Sequence, residues 1–255
     1  TQKGIGNGIS LIIFAGIVSA IPNAIGGTIE LVNNGQMNFL TVLAILVIII
    51  VTVGSIIYVE LGERRVPVSY SRKVMIENQK KRVMNYIPIK VNLSGVIPAI
   101  FASAILMFPS TVLQGSQNKY LMMIADYLNP SSYTFNLFMF LFVLFFAFFY
   151  ASITFNAKDI SENLKKQGGF IPGVRPGAST AEFLNEVASR LTFWGAIYMG
   201  LISTLPWLIV KAMGVPFYFG GVAVLIVVQV AIDTMRKIEA QQYMNKYQTL
   251  SAVGL

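Results

Sequence analysis

Six stretches of mostly apolar residues that contain no Asp, Glu, Lys or Arg run along the 255-residue chain. They cover residues 8–25, 37–59, 91–113, 135–155, 191–210 and 217–232. A helix of roughly 20 apolar residues crosses a bilayer core about 30 Å thick, and these stretches are near that length. The pattern therefore predicts an all-α polytopic membrane protein with six transmembrane helices.

The third stretch differs from the others because polar residues and prolines interrupt its apolar pattern. We single out Asn92, Pro98 and Ser103. Pro98 removes a backbone donor and crowds a preceding carbonyl, so we expect a kink in this helix. Two interpretations stay open: the helix packs against protein through its small residues, or it moves and lines a pathway.

The first stretch holds isoleucines at a helical spacing. Ile9, Ile13 and Ile17 lie at i, i+4 and i+8, so they share one helix face. An apolar stripe of this kind is ordinarily a packing surface. No ionisable residue lies in the middle of any of the six stretches, which disfavours proton relays and ion-coupled carriers.

The connection 60–90 is basic and changes from helical to alternating periodicity. Apolar and polar residues alternate over 65–70 and more loosely over 86–91, which predicts a β-hairpin. Lys80, Lys81 and Arg82 would lie near its tip. These basic residues either only enforce membrane topology or contact a phosphate backbone or an acidic protein surface.

The connection 156–190 predicts two short helices around a rigid turn. Asn156 is placed to cap the first helix, and Ser179 with Glu182 to form a capping box for the second. The turn between them, FIPGVRPG at 170–177, holds Arg175 between glycine and proline residues. Arg175 either contacts a partner or braces the backbone of its own turn.

Composition narrows the chemistry that the chain can perform. Hydrophobic residues make up 55% and charged residues 12%, where soluble domains carry about 25% charged residues. The chain has no Cys and no His, which removes disulfides, thiolate nucleophiles, Cys/His metal sites and imidazole acid–base chemistry. We therefore predict no catalytic residues, no metal site and no cofactor.

The distribution of the +8 net charge predicts an orientation in the membrane. Of 19 Lys and Arg residues, only Lys119 and Lys211 lie in the connections after the first, third and fifth stretches. The positive-inside rule then places both termini and the connections 60–90 and 156–190 in the cytosol. Charges on the opposite side cancel, so the whole excess faces the cytosol, where anionic lipids are an expected partner.

The expected organisation follows from these assignments. Transmembrane helices occupy 1–59, 91–155 and 191–235, with a cytosolic basic hairpin loop at 60–90, a cytosolic partner-docking loop at 156–190 and a cytosolic tail at 236–255. The chain starts without Met and enters a predicted span almost at once. We therefore expect it to be part of a longer chain.

Five segments carry a resemblance to a known family. They are GIGNGISLIIFAG (4–16), ERR (63–65), IKVNLSGVIPAIFASAILMF (89–108), NLKKQGGFIPGVRPG (163–177) and FYFGG (217–221). In this order they resemble the bacterial SecY family, the pore subunit of the Sec protein-conducting channel. The resemblance spans essentially the whole chain and implies the family's fifth to tenth helices, without the plug and the helices across the lateral gate.

The resemblance implies residue roles. An apolar ring that closes the pore would be formed by Ile9, Ile13, Ile100 and Ile226. The third helix would be the mobile lateral gate, with the candidate residues Asn92, Pro98 and Ser103. The two basic loops would dock the SecA motor or the ribosome, including its RNA, through Arg64, Arg65, Lys80, Lys81, Arg82 and Arg175. Lys80 and Lys81 stand where relatives have arginine, which keeps the positive charge but loses the planar guanidinium group and its paired hydrogen-bond donors.

The expected function is a passive conduit driven by SecA or the ribosome, located in the bacterial cytoplasmic membrane, and not an enzyme. Implied partners are SecE-type and SecG-type membrane subunits, signal peptides, unfolded polypeptides and the N-terminal part of the same channel. The alternative is half of a secondary small-solute transporter, which needs a polar midplane site at broken helices; only the third stretch approaches this. An intramembrane protease would need a buried catalytic pair, and no His, Cys or intramembrane carboxylate supplies one.

Overall fold

The computed structural model describes residues 8–70, 85–114, 119–212 and 221–253. Its elements, in chain order, are α1 Gly8–Asn33, α2 Phe39–Leu61, β1 Glu63–Tyr70, β2 Asn85–Lys90, α3 Ile97–Gln114, α4 Lys119–Tyr127, α5 Tyr133–Thr154, α6 Ala157–Lys166, β3 Gly169–Phe170, α7 Ala178–Ala212 and α8 Gly221–Val253. The fold is mostly helical, and β1 and β2 form the predicted small β-hairpin.

Four helical segments within the described residues are long and apolar enough to cross a membrane. They are Ser10–Asn33, Phe39–Leu61, Tyr133–Lys166 and Ala178–Ile209. These segments cover the first, second, fourth and fifth apolar stretches of the sequence. The helix of the third stretch is shorter, with its apolar part at Ile97–Leu113, and α8 continues well beyond the sixth stretch.

The third stretch is not helical over its whole length, and the prediction of a helix kink caused by Pro98 is wrong. α3 begins at Ile97, so Pro98 lies in the first helical turn, where a missing backbone donor breaks no intrahelical hydrogen bond. Residues 91–96, which we call the pre-α3 segment, are not helical. Gly95 has a φ of 64°, a left-handed conformation that favours glycine and interrupts the helical path.

The helix boundaries in the connection 156–190 agree with the sequence at one end and differ at the other. The predicted N-cap is confirmed, because Asn156 accepts hydrogen bonds from two backbone amides in the first turn of α6. α7 already begins at Ala178, so Ser179 lies inside the helix and is not its N-cap. The neighbouring Thr180 instead donates its hydroxyl to the Arg175 carbonyl at 2.9 Å.

The two basic connections fold together, although the sequence presents them as separate loops. β1 pairs antiparallel with β2, with Arg65 opposite Pro88, and its far end pairs with β3, with Ser69 opposite Phe170. The sheet order is β2-β1-β3. Apolar side chains from both connections form one core, made of Val66, Val68, Ile89, Ala157, Leu164, Ile171 and Leu184. We call the assembly of this sheet, α6 and the start of α7 the loop domain.

The chain folds into two compact units. The first comprises Thr1–Tyr58 and Ile202–Leu255, and within it α1 packs against α8. The second is Val59–Leu201; it contains the loop domain, and within it α3 packs against α5. The pre-α3 segment and the end of α2 both belong to the second unit.

Candidate gate, pore and docking residues

A buried group of polar side chains surrounds the pre-α3 segment. Asn92 donates from Nδ2 to Glu60 Oε1 at 2.6 Å and to the Gly95 carbonyl at 3.3 Å. Ser94 donates its hydroxyl to Asn92 Oδ1 at 3.2 Å. Glu60, Asn92 and Ser94 are all at most 5% exposed. The segment is therefore fixed by side chains as well as by its backbone.

The helix α7 also packs closely against the pre-α3 segment. A Cβ atom at Gly195 would lie 2.9 Å from the Val91 carbonyl oxygen, so the two backbones approach closely enough to require glycine. Ser94 Oγ also lies 3.9 Å from the sulfur of Met199. One turn from Gly195, the Tyr198 hydroxyl is buried and has no hydrogen-bond partner among the described residues.

The three predicted gate residues have different surroundings. Asn92 and Pro98 are buried, and Ser103 is half-buried on α3. The Ser103 hydroxyl donates to the carbonyl of Ile100, one turn earlier, at 2.8 Å. Asn92 thus bonds from the pre-α3 segment to another element, α2, while Ser103 bonds within its own helix.

The four predicted pore-ring residues fall in both units. Ile13 on α1 is half-buried and Ile226 on α8 is buried, and both belong to the first unit. Ile100 is half-buried on α3 in the second unit. The backbone of Ile9 lies in α1, while its side chain is outside the described residues. A ring through all four positions stays a prediction.

Gln229 adds a polar group beside one pore-ring position. It lies three residues after Ile226 in α8, so the two side chains project from the same side of the helix. Its side chain is 6% exposed, and Oε1 has no hydrogen-bond partner among the described residues. The apolar pattern of the sixth stretch gave no indication of a buried amide at this position.

The basic residues at the start of the hairpin lie on opposite faces of β1. Arg65 is exposed; its Nε donates to Glu63 Oε1 at 2.8 Å, and its guanidinium lies 4.8 Å from the ring centroid of Tyr86. The hydrogen bond to Glu63 raises the pKa of Arg65. Arg64 is also exposed, opposite Ile89. Lys80, Lys81 and Arg82 lie outside the described residues.

Arg175 lies exposed in the turn between β3 and α7. The hydrogen bond from Thr180 holds its carbonyl, and the Ser161 hydroxyl donates to the carbonyl of Gly177 at 2.7 Å. The side chain of Val174 packs on the core of the loop domain. These contacts show that neighbouring residues hold the turn, which leaves the Arg175 guanidinium on its surface.

An open cleft lies beside this turn in the loop domain. Its volume is about 620 Å³, and its lining includes Lys158, Glu162, Lys165, Glu182 and Asn185. Both signs of charge are present, so the cleft has no strong preference for anions or cations. Among the described residues there is no acidic cluster that could hold a metal ion.

Sequence reasoning missed Glu60 and Tyr198. Glu60 directly follows an apolar stretch, which is the usual place for a carboxylate exposed at a membrane boundary, yet it is 5% exposed. Tyr198 lies within an apolar stretch, where its hydroxyl gives no periodic signal. For Glu60, the sequence indicates only that a charged residue adjoins an apolar stretch. That position does not identify Asn92 as the hydrogen-bond partner of Glu60.

The long apolar helices define the class of the chain: it is a multi-pass membrane protein. Two solved structures match it with TM-scores of 0.66 and 0.68 at 19% identity, each covering 94% of this chain and 60% of the solved chain. One is described as the structure of a protein-conducting channel, and the other as showing that the SecY plug domain stabilises the closed translocation channel. At this identity the likeness concerns the fold alone.

The sequence comparisons show the family. The SecY family model matches residues 1–235. The protein translocase subunit SecY of Helicobacter pylori is 66% identical over 255 residues, covering 100% of this chain and 61% of the relative. The SecY subunit of Escherichia coli K12 is 41% identical over 253 residues, covering 98% and 57%. The chain belongs to the SecY family, as the sequence motifs predicted, and spans about 60% of the length of these relatives.

Proposed function

We propose that this chain is part of a channel that passes unfolded secretory proteins across the cytoplasmic membrane and releases transmembrane segments into it. The observation that carries this proposal is the match over the whole chain to a relative named as a protein translocase subunit. The chain is a conduit without a catalytic site, and SecA or the ribosome supplies the driving force. The relatives' names do not favour the solute-transporter alternative.

The proposal includes six membrane spans. Besides the four long apolar segments, α3 and the first part of α8 cross the membrane. α3 needs its pre-helix segment to complete the crossing, since its apolar part is only 17 residues long and about 20 are needed. The charge distribution supports cytosolic termini and a cytosolic loop domain.

The pore seal is formed by Ile9, Ile13, Ile100 and Ile226. Branched apolar side chains at a constriction disfavour water and ions by dewetting. They also form no fixed polar contacts, so they can part around a passing polypeptide of any sequence. Support comes from their placement on three helices, α1, α3 and α8, with a branched apolar side chain at each position.

Lateral release takes place along α3. Asn92, Pro98 and Ser103 lie on or next to this helix, and the pre-α3 segment provides an irregular joint at which the helix can move. Gly95 and the non-helical backbone of residues 91–96 support this role.

The loop domain is the docking platform for SecA or the ribosome. Arg64, Arg65 and Arg175 are exposed on it, and Lys80, Lys81 and Arg82 lie in the sequence between β1 and β2. The hydrogen bonds and the core that hold the Arg175 turn support a preformed site. The membrane partners are SecE-type and SecG-type subunits, together with the remaining part of the same channel.

The pore seal is tested by conductance of a full-length channel that contains this chain. Ile13→Ser and Ile226→Ser should raise ion leak severalfold, because a hydroxyl wets the constriction. The matched control is Ile12→Ser, at a neighbouring α1 position that is 74% exposed. Equal conductance of all three variants and the parent channel would sink the assignment.

A further inference from the structure

Glu60 is a buried carboxyl group at the end of an apolar helix. Burying such a group is costly unless hydrogen bonds compensate, and bonds to ionised groups are stronger than neutral ones. Asn92 supplies a bond of 2.6 Å. This contact joins the last turn of α2 to the pre-α3 segment, 32 residues further along the chain.

The same amide group of Asn92 also organises the segment itself. Its second contact, to the Gly95 carbonyl, spans the residue with left-handed backbone that precedes α3. Gly195 of α7 closes the other side against the backbone of Val91. The direction in which α3 starts therefore depends on where Glu60 holds Asn92.

Tyr198 offers Glu60 a further donor. Its hydroxyl is buried without a hydrogen-bond partner among the described residues, and the residue lies within electrostatic reach of Glu60. Buried hydroxyl groups are nearly always bonded, so an unbonded one requires a physical reason. A donor that is used only in another conformation would be such a reason.

We propose that Glu60 is a positioning residue for the gate: it holds the pre-α3 segment through Asn92 in the conformation seen here, and accepts a bond from Tyr198 when that segment moves. The inference rests on the proposed role of α3 as the lateral gate. Departure of Asn92 costs the buried carboxyl group a short hydrogen bond, and the Tyr198 hydroxyl replaces it. The two conformations then differ less in free energy, and the gate can exchange between them.

The test uses a full-length channel with Ser103→Cys and a stalled secretory precursor whose signal segment is weakly apolar. The measurement is the yield of the cross-link between that segment and position 103. Asn92→Asp places two carboxyl groups against each other, so it should raise the yield about tenfold. The exchanged pair Glu60→Gln with Asn92→Asp restores the amide–carboxyl bond between these two positions but not the bond to the Gly95 carbonyl, so it should reverse a large part of the increase in yield.

Tyr198→Phe provides the second arm, because it leaves the Asn92 contact intact and removes only the alternative donor. It should lower the yield about tenfold. Unchanged yield in Tyr198→Phe, or failure of the exchanged pair to reverse Asn92→Asp, would overturn the inference. A precursor with a strongly apolar signal segment is the control, measured in the parent channel. A normal cross-link from that segment supports the proposed function even if the role of Glu60 fails. No cross-link from it would overturn both the proposed function and the role of Glu60.

Discussion

The shared core of the loop domain predicts that one substitution loosens both basic loops. Leu184, on α7, is 0% exposed and packs in the core with Val66, Ile89 and Leu164. Leu184→Ala should destabilise this core by about 2–5 kcal/mol, the usual range for a buried leucine. Because about 1.4 kcal/mol is a factor of ten, the lower bound corresponds to about 30-fold faster amide exchange through opening of the domain.

Hydrogen exchange measured by mass spectrometry on a full-length channel can follow β1 and α6 separately. Both should exchange faster in Leu184→Ala, since both contribute side chains to one core. Leu201→Ala is the matched control, because this leucine lies on the same helix and is 48% exposed. Faster exchange in α6 with unchanged exchange in β1 would refute the reasoning and show that the two loops open independently.

Three further substitutions test individual contacts. Gly195→Ala should destabilise the channel by about 1–3 kcal/mol in thermal unfolding, because its Cβ meets the Val91 carbonyl, whereas Gly54→Ala meets open space; equal effects would contradict the close approach. Asn156→Ala should cost about 1 kcal/mol through loss of the α6 cap, measured as faster exchange in α6, and unchanged exchange there would contradict that role. Arg175→Glu should impair motor-driven translocation without loss of membrane insertion, and intact transport would restrict Arg175 to its turn.

Local sequence patterns predicted much of the fold. Alternation over 65–70 predicted the strand β1, and the asparagine before a polar helical segment predicted the cap at Asn156. These features depend on neighbouring residues, which the sequence displays directly. The four long membrane segments were found in the same way, because length and apolar composition determine them.

Long-range contacts were not accessible from the same patterns. β3 has two residues, too few for any periodicity, and its pairing partner Ser69 lies about 100 residues earlier. The prediction of a kink at Pro98 failed because the effect of a proline depends on where the helix begins, and α3 begins only after the left-handed Gly95. Glu60 escaped notice because burial next to Asn92 depends on tertiary packing.

The candidate site residues divide in the same way. The resemblance to SecY proteins supplied the pore-ring and docking positions, while the surroundings of Asn92 and Arg175 came from the structure. Physical reasoning from the sequence alone left the isoleucine stripe as packing and left Arg175 with two roles. The bonds from Thr180 and Ser161 hold the backbone of the turn without the Arg175 guanidinium, and the choice between the two roles stays with the Arg175→Glu test.

The central claim, that a polypeptide passes through this chain, is tested most directly by a cross-link at position 100. The chain contains no cysteine, so Ile100→Cys introduces the one thiol of this part of the channel, with Ile105→Cys, 45% exposed on the same helix, as its comparison. A stalled secretory precursor should cross-link through its translocating part to position 100 and much less to position 105. Absence of a cross-link at position 100, in a channel that still inserts into the membrane, would contradict the account.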